Sequence, residues 1–189
     1  MTKEAVIVST ARTPIGKAYR GAFNDTDAPT LGGHAIAAAV ERAGIDPAEV
    51  DDVVMGCAMQ QGSSGFNIGR TAGVAAGLPS SVSGMSMDRQ CASGMLAIAT
   101  AAKQVICDNM PIVIGAGLES ISLVQNEHRN GYRGTDPNVL ARSEHAYMSM
   151  LDTAEIVAKR YGISRDAMDE YALQSQQRTA AAQAAGKFA

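Results

Sequence analysis

The sequence predicts an α/β protein built on a mostly parallel sheet. Short apolar runs typical of strands alternate along the chain with longer stretches whose apolar residues recur at helical spacing. The first run, residues 4–9, is almost continuously apolar, as expected for a strand covered by helices on both faces. With 46% hydrophobic residues in 189, the chain has ample material for a core.

Composition excludes several classes of function. The net charge of −3, the absence of a basic run and the lack of Trp argue against nucleic-acid binding. Apolar stretches are too short or too polar to span a bilayer, and residues 1–6 have no signal-peptide layout. Three widely spaced cysteines match neither a disulfide framework nor a metal site, so a reducing, cytoplasmic location is predicted.

The elements of the first third follow from their end signals. After the strand at residues 4–9, the pattern predicts a helix over 31–43 that Gly44 ends. A single turn follows, with Asp46 as cap and Glu49 reaching back to complete a capping box. Residues 53–57 form the next predicted strand.

The middle of the chain predicts a further helix and two strands around a polar corner. A short helix is expected over 67–76, and strands over 82–87 and 112–117. Between these strands, the corner 88–90 leads into a helix that begins at Cys91. No charge appears from Cys91 to Ala102, which predicts that this helix is buried on most sides.

The position of Cys91 has a chemical consequence. Unpaired N–H groups and the positive dipole end at a helix start favour a thiolate, and Arg89 adds positive charge. The small residues 92–94 leave room for a substrate, as in the elbow that exposes a hydrolase serine. The alternative is a buried structural cysteine, the role predicted for Cys57 and Cys107.

The character of the chain changes after Glu119. Residues 122–147 are polar with little periodicity, which is typical of a functional insertion. A helix is predicted over 152–160 with Gly162 after it, and Ser164 caps a second, amphipathic helix that runs to about residue 185.

Several segments together resemble the thiolase family, in order and over the whole chain. The matching blocks are residues 12–16 (Arg-Thr-Pro-Ile-Gly), 89–94 (Arg-Gln-Cys-Ala-Ser-Gly), 115–120 (Gly-Ala-Gly-Leu-Glu-Ser), 153–158 (Thr-Ala-Glu-Ile-Val-Ala) and the helix over 164–175. The resemblance implies the αβαβα thiolase fold. Residues 1–119 would be the N-terminal domain with the nucleophile, and residues 120–189 part of the inserted, substrate-binding loop domain.

The resemblance also implies an activity. Cys91 would accept an acyl group from a coenzyme A thioester, and its backbone N–H would serve as an oxyanion donor. Met150 matches a family position near the pantetheine and acyl end of the substrate, and Ser149 stands where many short-chain members carry His. Asp88 replaces the usual Asn before the corner. Coenzyme A or acyl-CoA is then a substrate, with no covalently bound cofactor.

Members of this family are longer than this chain. Their second half supplies the activating histidine, a second cysteine and another oxyanion donor, and none of those motifs occurs here. The implied partners are therefore the C-terminal thiolase half, as a separate or missing polypeptide, and further copies in a dimer or tetramer. The implied role lies in fatty acid metabolism. Alternatives are a ketoacyl-synthase-like condensing enzyme and a non-catalytic scaffold subunit that kept the fold.

Overall fold

The computed structural model describes residues 3–188, so residues 1 and 2 of the segment examined for a signal peptide lie outside it. The chain divides into two compact units, Met1–Asn130 and Gly131–Ala189. The boundary expected after residue 119, between the N-terminal domain and the loop domain, stays a prediction.

The first unit contains four helices, two short 3₁₀ turns and three strands among its described residues. In chain order these are α1 (Ala28–Ala43), the turn Pro47–Glu49, β1 (Asp52–Gly56), the turn Gly62–Ser64, α2 (Ile68–Ala75), β2 (Ser83–Met87), α3 (Ser93–Cys107), β3 (Val113–Gly117) and α4 (Ile121–Val124).

The three strands form one parallel sheet in the order β2-β1-β3. Gly56 at the end of β1 lies opposite Met87 on one side and Gly117 on the other. The carboxyl ends of all three strands therefore share one edge. The predicted parallel α/β architecture is confirmed.

Helices cover both faces of the sheet because successive residues of β1 point to opposite sides. Val53 and Met55 pack in one core with α1 and α2, where Ile36 and Ile68 are buried. Val54 faces the other way and packs with Ala97 and Ala101 of α3. These contacts create three layers, αβα.

Local capping signals account for several helix ends. Asp46 and Glu49 form the predicted capping box, with both side-chain bonds present. Gly44 ends α1 in the left-handed conformation with a φ of 65°, which glycine adopts without steric cost. The start of α1 differs from the prediction: the helix begins at Ala28, because Pro29 at its first turn is compatible with helix entry.

The predicted strand over residues 4–9 is wrong for this chain. The segment makes no strand pairing, and Val6, Ile7 and Val8 are 75%, 76% and 75% exposed. Just after it, an Arg42 guanidinium N–H donates to the Thr10 carbonyl at 2.9 Å. An apolar strand needs a hydrogen-bonded neighbour, and β3 is not bonded to this segment.

The expected burial of α3 is also wrong in part. Only Ser93, Ala97 and Ala101 of this helix are buried, all on the face toward the sheet. Met95 is 78% exposed and Ile98 is 50% exposed. The missing charges on α3 therefore mark apolar side chains that no other residue within 3–188 fully covers.

The second unit is helical, with α5 (Pro137–Arg142), α6 (Met150–Tyr161) and α7 (Arg165–Ala184). Gly162 ends α6 in the left-handed conformation and the Ser164 hydroxyl caps α7, as predicted. The described side chains of α7 are almost all exposed, so the helix shows no buried apolar face. Within residues 3–188, no helix combines the length and apolarity that crossing a bilayer requires.

Candidate functional site

The candidate site lies at the carboxyl edge of the sheet, where the three strands end side by side. Cys57 follows β1, Glu119 follows β3, and the corner that carries Cys91 follows β2. In open α/β sheets this edge is where ligands bind.

Cys91 is an exposed free cysteine at the start of α3. The N-cap is Ala92 and the helix begins at Ser93, slightly later than predicted. Because Ala92 has no side-chain oxygen, it cannot cap the unpaired N–H groups of the first turn. The sulfur thus lies beside the positive end of a helix and is open to an incoming reagent.

The corner before Cys91 is held by short hydrogen bonds. The Gln90 N–H donates to Asp88 Oδ1 at 2.6 Å, and the Arg89 N–H donates to Ser93 Oγ at 2.8 Å. The Ser93 hydroxyl in turn donates to the Gln90 carbonyl at 2.6 Å. Gln90 has a φ of 50°, a left-handed conformation that residues other than glycine adopt only when surrounding contacts hold it.

Glycines let the first turn of α3 rest directly on the sheet. A Cβ added to Gly56 would lie 2.2 Å from the Ser93 carbonyl carbon, and one added to Gly117 would lie 3.0 Å from the Gly94 Cα. Only a residue without a Cβ permits such contact between backbones. The ends of β1 and β3 therefore set the position of the helix start.

Glu119 ties the loop after β1 to the end of β3. Its two carboxylate oxygens accept the N–H groups of Ala58 at 2.9 Å and of Met59 at 3.1 Å. The Cys57 thiol donates to the same carboxylate at 3.5 Å. Burial, together with the charge and hydrogen bond of Glu119, raises the pKa of the Cys57 thiol to about 11.

The three cysteines thus differ in environment. Cys57 is buried, as predicted, and its raised pKa keeps it a protonated thiol at neutral pH. The prediction that Cys107 is a packing residue is wrong, because it is exposed at the end of α3. An exposed Cys107 supplies an internal comparison for Cys91 on the same helix.

Two residues of this site, Glu119 and Gly56, had no role in the sequence-based prediction, and Ser93 was expected only to leave room for a substrate. Ser93 and Glu119 occur in the matching motif blocks. Ser93 bonds within its own block, whereas the partners of Glu119 lie in the loop after β1. The close approach at Gly56 joins residues distant in sequence, so no local pattern signals it.

The two residues expected near the substrate lie in the second unit. Met150 is the first residue of α6 and is 72% exposed. Ser149 is the N-cap of that helix: its Oγ accepts the Asp152 N–H at 3.1 Å and lies 2.7 Å from Asp152 Oδ2. The helix predicted from Asp152 therefore starts earlier, at Met150, and the Ser149 hydroxyl is hydrogen-bonded to Asp152.

Comparison with known proteins places these features in a family. The sequence-family model of the thiolase N-terminal domain matches residues 5–189. The 3-ketoacyl-CoA thiolase of Bacillus subtilis (strain 168) is 42% identical over 189 residues, covering 98% of this chain and 47% of that protein. An acetyl-CoA acetyltransferase of Cupriavidus necator is 40% identical over 195 residues, covering 98% of this chain and 49% of that protein.

A solved structure agrees. The crystal structure of the Bacillus anthracis acetyl-CoA acetyltransferase matches with a TM-score of 0.80 at 34% identity, covering 97% of this chain and 48% of the other. The chain therefore spans about half the length of the curated relatives it matches. The motif blocks, the parallel αβα architecture and these similarities have one explanation: the chain belongs to the thiolase family and carries its N-terminal fold.

Proposed function

We propose that this chain supplies the nucleophile of an acetyl-CoA C-acyltransferase, in which Cys91 carries the acyl group between two coenzyme A thioesters. The observation that carries the proposal is the exposed sulfur of Cys91 beside the start of α3, within the Arg-Gln-Cys-Ala-Ser-Gly block. Relatives named 3-ketoacyl-CoA thiolase and acetyl-CoA acetyltransferase support the same class of reaction.

The proposed chemistry has two steps. The Cys91 thiolate attacks the acyl carbonyl carbon, and a new sulfur–carbon bond forms as the bond to the leaving group breaks. The leaving group is the thiolate of coenzyme A, or the C2 carbanion of acetyl-CoA when a 3-ketoacyl-CoA is cleaved; either takes up a proton. In the second step the thiol of coenzyme A, or C2 of an acetyl-CoA, loses a proton and attacks the acyl carbonyl, and the Cys91 sulfur leaves as a thiolate.

The local geometry supports a nucleophile that needs help from elsewhere. The Cys91 backbone N–H is the proposed oxyanion donor at the corner. Within residues 3–188, no side chain makes a hydrogen bond to Cys91 Sγ. Because a nucleophile of this type is activated by a base within hydrogen-bond reach, we assign the base to a C-terminal half that this chain does not include.

An open cleft beside β3 supports assembly with that half. The cleft has a volume of about 920 Å³ and lies between the unpaired edge of β3 and the exposed segment at residues 5–10. Apolar residues of α1 and α3, among them Ala39 and Ile98, line it from the two faces of the sheet. An unpaired edge flanked by apolar walls suits one more extended strand.

The outer face of α3 supports the same proposal. This chain forms three layers, αβα, and the five-layer αβαβα architecture needs two more on one side. Met95 of α3 presents an apolar side chain that is 78% exposed. Covering that surface with a second half removes apolar area from water, which is favourable.

We further propose that Met150 and Ser149 contact the pantetheine and acyl end of the substrate, and that the complete protein is a cytoplasmic homo-oligomer. Met150 is an exposed, flexible apolar side chain of the type that accommodates varied acyl groups. The free thiols of Cys57, Cys91 and Cys107 suit a reducing compartment.

Brief alkylation with iodoacetamide near neutral pH tests the nucleophile. We expect Cys91 to react several-fold faster than Cys107, because both are exposed but only Cys91 lies at the positive end of the helix. Cys57 should be labelled last, since its pKa is about 11. Peptide mass mapping over a time course gives the rates. Equal rates at Cys91 and Cys107 would favour a non-catalytic scaffold.

A chimera tests the need for the second half. In it, this chain replaces the matching N-terminal half of the Bacillus subtilis relative, which is 42% identical. We expect thiolysis of acetoacetyl-CoA by the chimera and none by the 189-residue chain alone. Turnover by the isolated chain would place the base within its own residues and contradict the proposal.

A further inference from the structure

The Ser93 hydroxyl is buried directly under the corner that presents Cys91. Ser93 is only 4% exposed, although it is the first residue of α3 and Cys91 beside it is exposed. A serine at this place is not serving as the cap of its helix, because the N-cap is Ala92. Its hydroxyl faces back toward the residues that precede Cys91.

The hydroxyl uses both of its hydrogen-bonding functions on that corner. It accepts the Arg89 N–H at 2.8 Å and donates to the Gln90 carbonyl at 2.6 Å. The Gln90 carbonyl also accepts the Ser93 N–H at 3.0 Å. One side chain thus holds the peptide group before Arg89 and the peptide group after Gln90, and so supports the left-handed conformation of Gln90, the residue just before Cys91.

The backbone of Ser93 is itself anchored on the sheet. The Ser93 backbone lies where a Cβ on Gly56 would be, and Gly94 lies against Gly117. Ser93 cannot shift without displacing the first turn of α3 from the strand ends. Because Ser93 is fixed in place, its two short hydrogen bonds also fix the corner relative to the edge of the sheet.

We propose that Ser93 is a positioning residue for Cys91, whose hydroxyl holds the corner at residues 88–90 so that the sulfur stays beside the helix N-terminus. This inference rests on the proposed function of Cys91. Ser93 itself touches no reacting atom. Without its hydroxyl, the corner loses the bonds that keep Gln90 left-handed, and Cys91 samples orientations farther from the helix dipole.

The test measures the rates of iodoacetamide labelling at Cys91 and Cys107 across a pH series. It compares the full wild-type chain with its Ser93→Ala and Ser93→Thr variants. Ser93→Ala is expected to lower the Cys91-to-Cys107 rate ratio about fivefold and to move the pH profile of Cys91 toward that of Cys107. Ser93→Thr keeps the hydroxyl and should restore most of the ratio.

Ser83→Ala is the matched control. Ser83 lies at the other end of β2, and its hydroxyl bonds a backbone carbonyl and a carboxylate, Asp51 O at 3.0 Å and Asp52 Oδ1 at 2.9 Å. The Ser83→Ala variant should lower the midpoint of unfolding without changing the Cys91-to-Cys107 labelling ratio. An unchanged ratio in Ser93→Ala overturns the positioning role alone. Equal rates in the wild type overturn the proposed nucleophile and the role with it.

Discussion

A Cys91→Ser variant of the chimera is expected to lose acyl transfer by roughly 10⁴- to 10⁶-fold in kcat/KM, the range seen when the nucleophile of a covalent catalyst is removed. A serine hydroxyl at this corner lacks the acidity and softness that let a thiol accept an acyl group near neutral pH. Steady-state thiolysis of acetoacetyl-CoA measures the loss, and mass spectrometry after quenching looks for the acylated peptide.

Cys107→Ser provides the control, since Cys107 is an exposed thiol on the same helix but at its opposite end. This variant should keep its activity within about twofold, as expected for a surface substitution. The acylated peptide should contain Cys91 in the wild type and in Cys107→Ser. Acyl transfer that survives in Cys91→Ser would show that another group carries the acyl chain.

Gly56→Ala is expected to be among the most destabilising single substitutions in the chain, by about 3 kcal/mol or more. The new Cβ would lie 2.2 Å from the Ser93 carbonyl carbon and 2.3 Å from its oxygen. Both are backbone atoms at the start of a packed helix, so neither can move as a flexible side chain would. The clash is relieved only if α3 moves away from the sheet edge, and this movement displaces Cys91.

Urea unfolding of the full chain measures this effect as a drop in the transition midpoint. Gly73→Ala serves as the comparison: its added Cβ would meet only Leu78 Cδ1 and Val53 Cγ2, both at 3.5 Å. Because Gly73 lies inside α2, alanine there should be neutral or stabilising by up to about 1 kcal/mol. Similar midpoints for the two variants would show that the close contact at Gly56 is not rigid.

Local chemistry made much of the fold predictable. The capping box at Asp46, the left-handed glycines Gly44 and Gly162, and the Ser164 cap all depend on residues within one or two turns. The parallel arrangement followed from the alternation of strands and helices. Where the predictions failed, at residues 4–9 and in the burial of α3, the apolar pattern is present, but no element within residues 3–188 covers those side chains.

The sequence by itself determined the order of the elements and the place of Cys91 between β2 and α3, because turn chemistry and apolar periodicity act over a few residues. Only the tertiary structure decided how that corner is held. Ser93 bonds back across the corner, Gly56 and Gly117 meet the start of α3 from two strands, and Glu119 joins the ends of β1 and β3. The Ser93 bonds close within the corner itself. The contacts of Gly56, Gly117 and Glu119 depend on the strands ending at one edge of the sheet, which is a property of chain packing and of no single segment.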